Sequence, residues 1–193
     1  MRTLVLASTS PYRRRLLKQL GLSFVTAAPR CKEEIQPGIA PELLVKHLAS
    51  QKAESLSNHY DDALIIGADQ VFVDPRNRVI GKPGNNQKAF EQLKAMAGRS
   101  HTFFTGLCVY DSATNEAQVD YSTFEVTLRR LSDDEIRNYI RREDPADCAG
   151  SFKVEGLGIA LMETMRGEDY TSLIGLPLIK LCDMLREAGV EIL

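Results

Sequence analysis

Apolar residues form short continuous runs in some parts of the chain and spaced, helical patterns in others. Continuous runs predict buried strands at residues 2–7 and 63–73, the second of which reads ALIIGADQVFV. After that run, DPRNR predicts a turn into a short hairpin. The segments 100–111 and 117–131 are rich in β-branched and aromatic residues and flank the polar turn SATNE, which predicts two strands joined by a turn.

Helices are indicated by their cap and stop residues. Ser10-Pro11 supplies an N-cap and a proline at the first helical position, and Ser132 opens a capping box, S-D-D-E. Glycines mark several predicted helix ends. The predicted helices span Pro11 to Leu20, Pro41 to about Ser57, residues 86–97, Ser132 to Glu143, and Pro177 to Ala188. Residues 148–163 read as a loop or strand region.

Helices and strands alternate early in the chain, and paired strands follow in the middle. This order predicts an α/β fold in which a mixed, twisted sheet is flanked by helices. The 193 residues suffice for a single domain spanning 1–193. A division of that domain into two lobes with a cleft between them is left open.

Composition and charge restrict the possible functions. Hydrophobic residues make up 44% and charged residues 26%, which is typical of a soluble globular protein. The net charge of −2 provides no overall attraction to nucleic acid or to an anionic membrane, so basic clusters act only locally. The first apolar run is too short for a signal peptide or a membrane span, and we therefore expect a cytoplasmic protein.

The cysteines and histidines argue against two kinds of site. The four cysteines are widely spaced, with no CxxC pair, so we expect reduced and mostly packed thiols rather than a metal finger. Only three histidines are available, which leaves little material for a nucleophile–histidine triad.

Positive charge is concentrated where the first strand turns into the first helix. Ser8 and Ser10 precede Arg13, Arg14 and Arg15 in the stretch LASTSPYRRRLL. Cations oppose the helix dipole at this end, so a bound anion such as a polyphosphate would compensate them. The alternative is a basic face that is simply solvated.

Two further charged residues stand where apolar ones are expected. Lys52 falls within the apolar stripe of its predicted helix, so it must extend to an edge or meet an anion. Asp69 interrupts a buried strand and requires a metal ion, a lysine or a catalytic water as its partner, unless it caps a turn at the strand end. Lys82, in IGKPG, also lies at an apolar strand end, but it is a weaker indication of an anion contact.

Adjacent carboxylates in a loop complete this set. Glu33 and Glu34, together with Asp69, are suited to Mg²⁺, although adjacent acids are often only a solvated patch. Cations, carboxylates and a metal are what binding and hydrolysis of a Mg²⁺–polyphosphate require. The sequence contains no GxxxxGK[ST] motif, which excludes a P-loop enzyme.

Taken in order, eight segments resemble the Maf family of nucleotide pyrophosphatases across essentially the whole chain. They are LASTSPYRRRLL, LASQKAESL, IIGADQVFV, VIGKP, TGLCVYD, LSDDEIRNYI, CAGSFKVEG and IGLPLIKLCDML. GADQ and GSFKVEG are similar to the branch that hydrolyses 7-methyl-GTP. The branch that acts on dTTP and UTP typically has threonine after the aspartate.

The resemblance implies an inosine-triphosphate-pyrophosphatase-like fold and hydrolysis between the α- and β-phosphates, assisted by Mg²⁺ or Mn²⁺. It implies that Asp69 is the proton acceptor and, with Glu33, a metal ligand, and it suggests a homodimer. The implied phosphate-binding residues are Ser8, Arg13, Arg14, Lys52 and Lys82, and the positions associated with substrate choice are Tyr12, Gln70 and Glu155. Lys32 departs from the family pattern, because relatives often carry an acid there.

The chemistry of a methylated base suits two of these residues. Methylation at N7 gives guanine a positive charge, so the Tyr12 ring would gain a cation–π energy of about 0.5 to 2 kcal/mol by stacking on it. Alternatively, Tyr12 packs at the helix start. The Glu155 carboxylate would accept hydrogen bonds from the guanine N–H edge.

Three functions follow from this reading. The leading one is a pyrophosphatase that removes 7-methyl-GTP, as a house-cleaning enzyme of the nucleotide pool. The second is the same chemistry on dTTP, UTP or another modified nucleotide, against which Gln70 and the FKVEG segment argue. The third is a regulator that binds a nucleotide without hydrolysing it, which would have no need of Asp69 beside a metal.

Overall fold

The structure is a computed structural model, and it describes residues 2–31 and 38–193. Within this part of the chain a six-stranded sheet has the order β2-β1-β3-β4-β5-β6. The strands are β1 (Thr3–Ala7), β2 (Val25–Ala27), β3 (Ala63–Val73), β4 (Ser100–Asp111), β5 (Glu116–Leu128) and β6 (Met162–Arg166). β1 runs parallel to both β2 and β3, whereas β5 and β6 are antiparallel, so the sheet is mixed as predicted.

The helices are α1 (Pro11–Leu17), α2 (Pro41–Glu54), α3 (Asn86–Met96), α4 (Asp133–Glu143), α5 (Tyr170–Ile174) and α6 (Leu178–Glu187). Their ends follow the predicted capping chemistry. The Ser10 hydroxyl accepts a hydrogen bond from Arg13 N, and Ser132 and Glu135 form a complete capping box. After α1 a 3₁₀ turn continues to Leu20 and ends at Gly21, whose φ of 68° suits glycine.

Two short elements were not predicted. The strand β2 and the helix α5 span only three and five residues, which carry too little periodicity to be recognised. The region 148–163, predicted as a loop or strand, contains the 3₁₀ turns Ala149–Ser151 and Leu157–Leu161, and β6 begins at Met162. Gly150 and Ser151 both have positive φ there, which interrupts any extended strand.

The chain forms two compact units. The first contains residues 1–70, 104–123 and 169–193, and the second contains 71–103 and 124–168. In the first unit, successive residues of β3 face opposite sides of the sheet. Leu64, Ile66 and Ala68 belong to a core shared with α1 and α6, whereas Ala63 and Ile65 pack with α2.

The second unit has its own aromatic core. Phe72 lies 4.4 Å from Phe103 and 5.6 Å from Phe152 between ring centroids. His101 packs on the same ring, and burial lowers its pKa below the ordinary value. A neutral histidine therefore serves here as a packing residue, and the sequence predicts no catalytic role for it.

The cysteines differ in burial: Cys108 is buried, whereas Cys31, Cys148 and Cys182 are partly exposed. All four cysteines lie within the described residues, and none forms a disulfide. Cys108 is fully buried on β4, and burial raises its pKa to about 12, so it is not a nucleophile at neutral pH. Among the described helices, none combines the length and apolar character needed to cross a bilayer.

Candidate active site

The site begins at the ends of two parallel strands in the first unit. β1 and β3 pair in register from Thr3↔Ala63 to Leu6↔Ile66, so their carboxyl ends lie at the same edge of the sheet. That edge is where open α/β sheets place their ligands. Ser8 follows the end of β1. Asp69 lies inside β3, which continues to Val73, so the alternative of a carboxylate that caps a turn at the strand end is wrong. Ser8 and Asp69 are both polar and buried, with 7% and 8% of their surface exposed.

Asp69 is held by a lysine from the helix that covers its face of the sheet. The Lys52 ammonium donates a hydrogen bond to Asp69 Oδ1, and each side chain is 12% exposed. The predicted apolar face of α2 is confirmed, since Leu44, Leu48 and Ala49 are buried. Lys52 therefore meets an anion at the inner face of the helix rather than only extending to its edge.

Two glycines allow α2 to approach the sheet closely. A Cβ atom at Gly67 would lie 2.1 Å from Ala49 O, and one at Gly106 would lie 2.1 Å from Val45 O. No side chain fits at either place, so α2 packs directly against the β3 and β4 backbones. This close packing brings Lys52 within hydrogen-bonding distance of Asp69.

Arg13 is positioned by a carbonyl from the far end of the chain. Its Nε donates to Gly175 O at 2.8 Å, immediately after α5. Gly175 has a φ of 121°, which favours glycine, and a Cβ there would lie 3.5 Å from Arg13 Nε and 3.9 Å from Gln70 Oε1. Arg13 and Gln70 thus lie beside the same glycine.

The turn after β1 borders a basic cavity of about 340 Å³. Its lining residues are Ser8, Thr9, Ser10, Pro11, Arg14, Arg15, Lys18 and Thr26. The Ser8 Oγ accepts a hydrogen bond from Ser10 N at 3.1 Å and keeps its own proton for donation. Arg14 thus borders this cavity together with Ser8 and two further basic side chains.

Gln70 faces the side of the sheet opposite to Asp69. Its amide Nε2 lies 2.9 Å from Thr105 Oγ1, 2.8 Å from Ser172 O and 3.1 Å from Leu173 O. The amide hydrogens are therefore used within the protein. Thr105 was not singled out from the sequence, although a threonine inside the apolar strand TGLCVYD is a signal of this kind.

Tyr12, at the start of α1, is 45% exposed. Part of the residue is therefore accessible to a ligand, and part is covered by the protein.

Lys82 and Glu155 belong to the second unit, and both side chains are exposed. Burial is the main cause that raises the pKa of the Cys148 thiol. The charge of Glu155 raises this pKa further, and the charge of Lys82 lowers it. The turn that carries Glu155 is fixed to α4. Lys153 Nζ donates to Glu143 O at 3.0 Å, and Leu157 N donates to Glu143 Oε1 at 2.8 Å.

Glu33, Glu34 and Lys32 lie outside the described residues. Within the described ranges, no group of three or more His, Cys, Asp or Glu side chains could hold a metal ion. Asp69 offers a buried carboxylate beyond the end of β1. Because Mg²⁺ takes one or two protein carboxylates and completes its shell with phosphate oxygens and water, this donor set is compatible with Mg²⁺ or Mn²⁺ bound together with a nucleotide.

Comparisons with known proteins place the chain in a family. Residues 3–188 match the family model described as Maf-like protein. A protein of Syntrophotalea carbinolica named 7-methyl-GTP pyrophosphatase is 61% identical over 193 residues, covering 100% of this chain and 98% of that protein. A protein of the same name from Pseudomonas aeruginosa is 49% identical over 192 residues, covering 100% of both chains.

A solved structure supports the fold. The Ham1 protein of Staphylococcus aureus superposes with a TM-score of 0.50 at 14% identity, covering 81% of this chain and 90% of that one. At this identity the likeness concerns the fold alone, which is the inosine-triphosphate-pyrophosphatase-like α/β fold expected from the sequence. With a family model that spans nearly the whole chain and full-length relatives at high identity, this chain belongs to the Maf family.

Proposed function

We propose that this chain is a nucleoside triphosphate pyrophosphatase that hydrolyses 7-methyl-GTP to 7-methyl-GMP and pyrophosphate. The observation that carries the proposal is the buried Asp69, which lies inside β3 just beyond the point where β1 ends and is paired with Lys52. The names of the full-length relatives support the substrate. The reaction would take place in the cytoplasm, where nucleotides are found.

In the proposed reaction, the side chains of the site have the following roles. Asp69 accepts a proton from a water molecule while the oxygen of that water attacks the α-phosphorus. The bond between the α-phosphorus and the oxygen that bridges to the β-phosphorus breaks, and pyrophosphate leaves. Lys52 neutralises the carboxylate before reaction. Arg13 and Arg14 stabilise the charge that develops on the phosphate oxygens. Ser8 donates its hydroxyl proton to the same group.

A divalent metal held by Asp69, and by Glu33 as the resemblance implies, would supply charge neutralisation at the phosphates. We expect chelation by EDTA to abolish turnover and added Mg²⁺ or Mn²⁺ to restore it. Retention of full turnover after exhaustive chelation would contradict the metal requirement and would leave the role of Asp69 as the base to be tested separately.

Asp69→Asn tests the central assignment. The amide oxygen still accepts a hydrogen bond from Lys52, so the variant should fold, whereas loss of the base should lower kcat by roughly 10² to 10⁴-fold. Asp61→Asn, at an exposed aspartate, is the matched control and should retain wild-type kcat. Thermal unfolding of both variants checks the fold. Wild-type turnover in Asp69→Asn would refute the mechanism.

The site of attack is tested with isotopically labelled water. Hydrolysis of 7-methyl-GTP in H₂¹⁸O should place the label in 7-methyl-GMP, because water attacks the α-phosphorus. Label in pyrophosphate would indicate attack at the β-phosphorus. Release of orthophosphate would point to another reaction. A parallel panel of GTP, dTTP and UTP then tests the choice of base.

A further inference from the structure

A small polar network lies beneath the proposed phosphate site, in the interior of the first unit. Thr105, on β4, is completely buried and is one of the few polar side chains in that core. Its hydroxyl donates to Ser172 O at 2.8 Å. It therefore has a lone pair available, and Gln70 Nε2 donates to that lone pair at 2.9 Å.

This network holds the C-terminal end of a very short helix. The last carbonyls of any helix have no partner within the helix, and α5 has only five residues. Gln70 and Thr105 together donate to Ser172 O, and Gln70 also donates to Leu173 O. Ser172 O also accepts a hydrogen bond from Gly175 N at 3.1 Å, so the two side chains from the sheet reinforce the end of α5 in addition to its own backbone bonds.

The end of α5 in turn determines the position of Arg13. The chain leaves α5 at Gly175, whose carbonyl accepts the hydrogen bond from Arg13 Nε. A shift of α5 would move this carbonyl and, with it, the guanidinium. The path from Thr105 to Arg13 consists only of hydrogen bonds and one glycine turn.

We propose that Thr105 and Gln70 are positioning residues that place the Arg13 guanidinium for phosphate binding, acting through the carbonyl end of α5. The inference rests on the proposed role of Arg13 at the phosphates. It gives Gln70 an indirect role in binding the triphosphate, through the placement of Arg13, while its amide hydrogens are used within the protein.

Thr105→Val tests the proposal, because it keeps the shape of the side chain and removes the hydroxyl. The readouts are KM and kcat for 7-methyl-GTP and the Kd of inorganic tripolyphosphate, a probe that carries no base. We expect KM and Kd to rise about tenfold, since a displaced guanidinium loses much of a charge-assisted hydrogen bond. We expect kcat to change less. Thr105→Ser restores the hydroxyl and should restore the wild-type values.

Two controls separate positioning from loss of stability. Val109→Ala creates a small cavity in the same strand without touching the network, and it should leave the Kd of tripolyphosphate unchanged. In an Arg13→Gln background, Thr105→Val should weaken tripolyphosphate binding no further, because its effect passes through Arg13. Equal weakening by Val109→Ala, or additive weakening in the double variant, would overturn the proposal.

The same measurements distinguish this inference from the proposed function. If Arg13→Gln weakens tripolyphosphate binding and Thr105→Val does not, the positioning role is wrong and the phosphate site stands. If Arg13→Gln leaves binding unchanged, Arg13 does not bind phosphate, and both the inference and that part of the proposed function are wrong.

Discussion

At the scale of single residues, the sequence pointed to charges in places where apolar side chains are expected. Lys52 and Asp69 were conspicuous for that reason, and the structure pairs them with each other. Their pairing follows from burial, because neither charge is stable alone in a core. Thr105 was not singled out, because a neutral hydroxyl in an apolar strand is a weaker signal than a charge.

The role of Glu155 in base choice is tested by Glu155→Gln, which keeps the size of the side chain and removes its charge. A charge-assisted hydrogen bond to the cationic base contributes about 1.5 to 3 kcal/mol, so we expect kcat/KM for 7-methyl-GTP to fall about 10- to 100-fold. The value for UTP should change little. Glu163→Gln, at another exposed glutamate of the same unit, is the control. An unchanged preference for 7-methyl-GTP over UTP would exclude this role.

At the scale of elements, the contact between α2 and the sheet is the feature on which the site depends. Two glycines on neighbouring strands face the α2 backbone, where a methyl group has no room. The apolar stripe of α2 predicts both the helix and the face that it turns to the sheet. The sequence does not predict how closely α2 approaches the sheet, because a glycine within a strand is equally compatible with a bulge.

Gly67→Ala should therefore destabilise the protein strongly. The added Cβ would lie 2.1 Å from Ala49 O and 2.9 Å from Ala53 N. Both are backbone atoms of a helix, so no side-chain rotation can relieve the clash. Overpacking of this kind costs about 1 to 3 kcal/mol or more, which chemical unfolding in urea will measure. At Gly81 an added Cβ meets open space, so Gly81→Ala is the control, with a change expected within about 0.5 kcal/mol. Equal stability of the two variants would contradict the close packing of α2.

The longer elements were predictable because several signals agreed for each. α4 has a capping box, a clear apolar face and basic residues in its last turn. By contrast, β2 is three residues long and lies at the edge of the sheet. The helix α5 has only five residues, and beside its own N-cap at Asp169 it depends on hydrogen bonds from Gln70 and Thr105 at its other end. Elements stabilised mainly by tertiary contacts leave little trace in a local pattern.

At the scale of the whole molecule, an ion pair joins distant parts of the first unit. Arg2 Nη1 donates to Asp111 Oδ2 at 2.6 Å, and Arg2 Nε donates to Asp62 Oδ1 at 2.7 Å. The start of β1 is thereby tied to the end of β4, although more than a hundred residues separate them. The hydrogen bond from Arg2 lowers the pKa of Asp111 from 3.8 to about 2.

This shift predicts how the stability contributed by the pair depends on pH. Because the pKa of Asp111 is lower in the folded state, the contribution is complete above about pH 4 and disappears as the pH falls towards 2. We expect Arg2→Gln to lower the free energy of unfolding by about 1 kcal/mol at pH 7, since the pair is partly exposed. The gap to the wild type should narrow below pH 4, as measured by urea unfolding across that range.

Arg76→Gln, at an exposed arginine of the second unit, serves as the comparison and should change the free energy of unfolding little at any pH. A gap between Arg2→Gln and the wild type that stays constant from pH 7 to pH 3 would show that Asp111 is not the group responsible. A gap that widens on acidification would reverse the sign and exclude the ion pair as the cause.

The neighbouring residues Asp69 and Gln70 face opposite sides of one strand, and this has a consequence for which mutations keep the carboxylate in place. Exchange of the side chain at position 70 can retune the network with α5 while the carboxylate stays in place. Insertion or deletion of one residue within β3 would instead turn the acid away from α2 and bring it towards α1 and α6. A substitution at position 70 therefore leaves the carboxylate in place, whereas a change in the length of this strand does not.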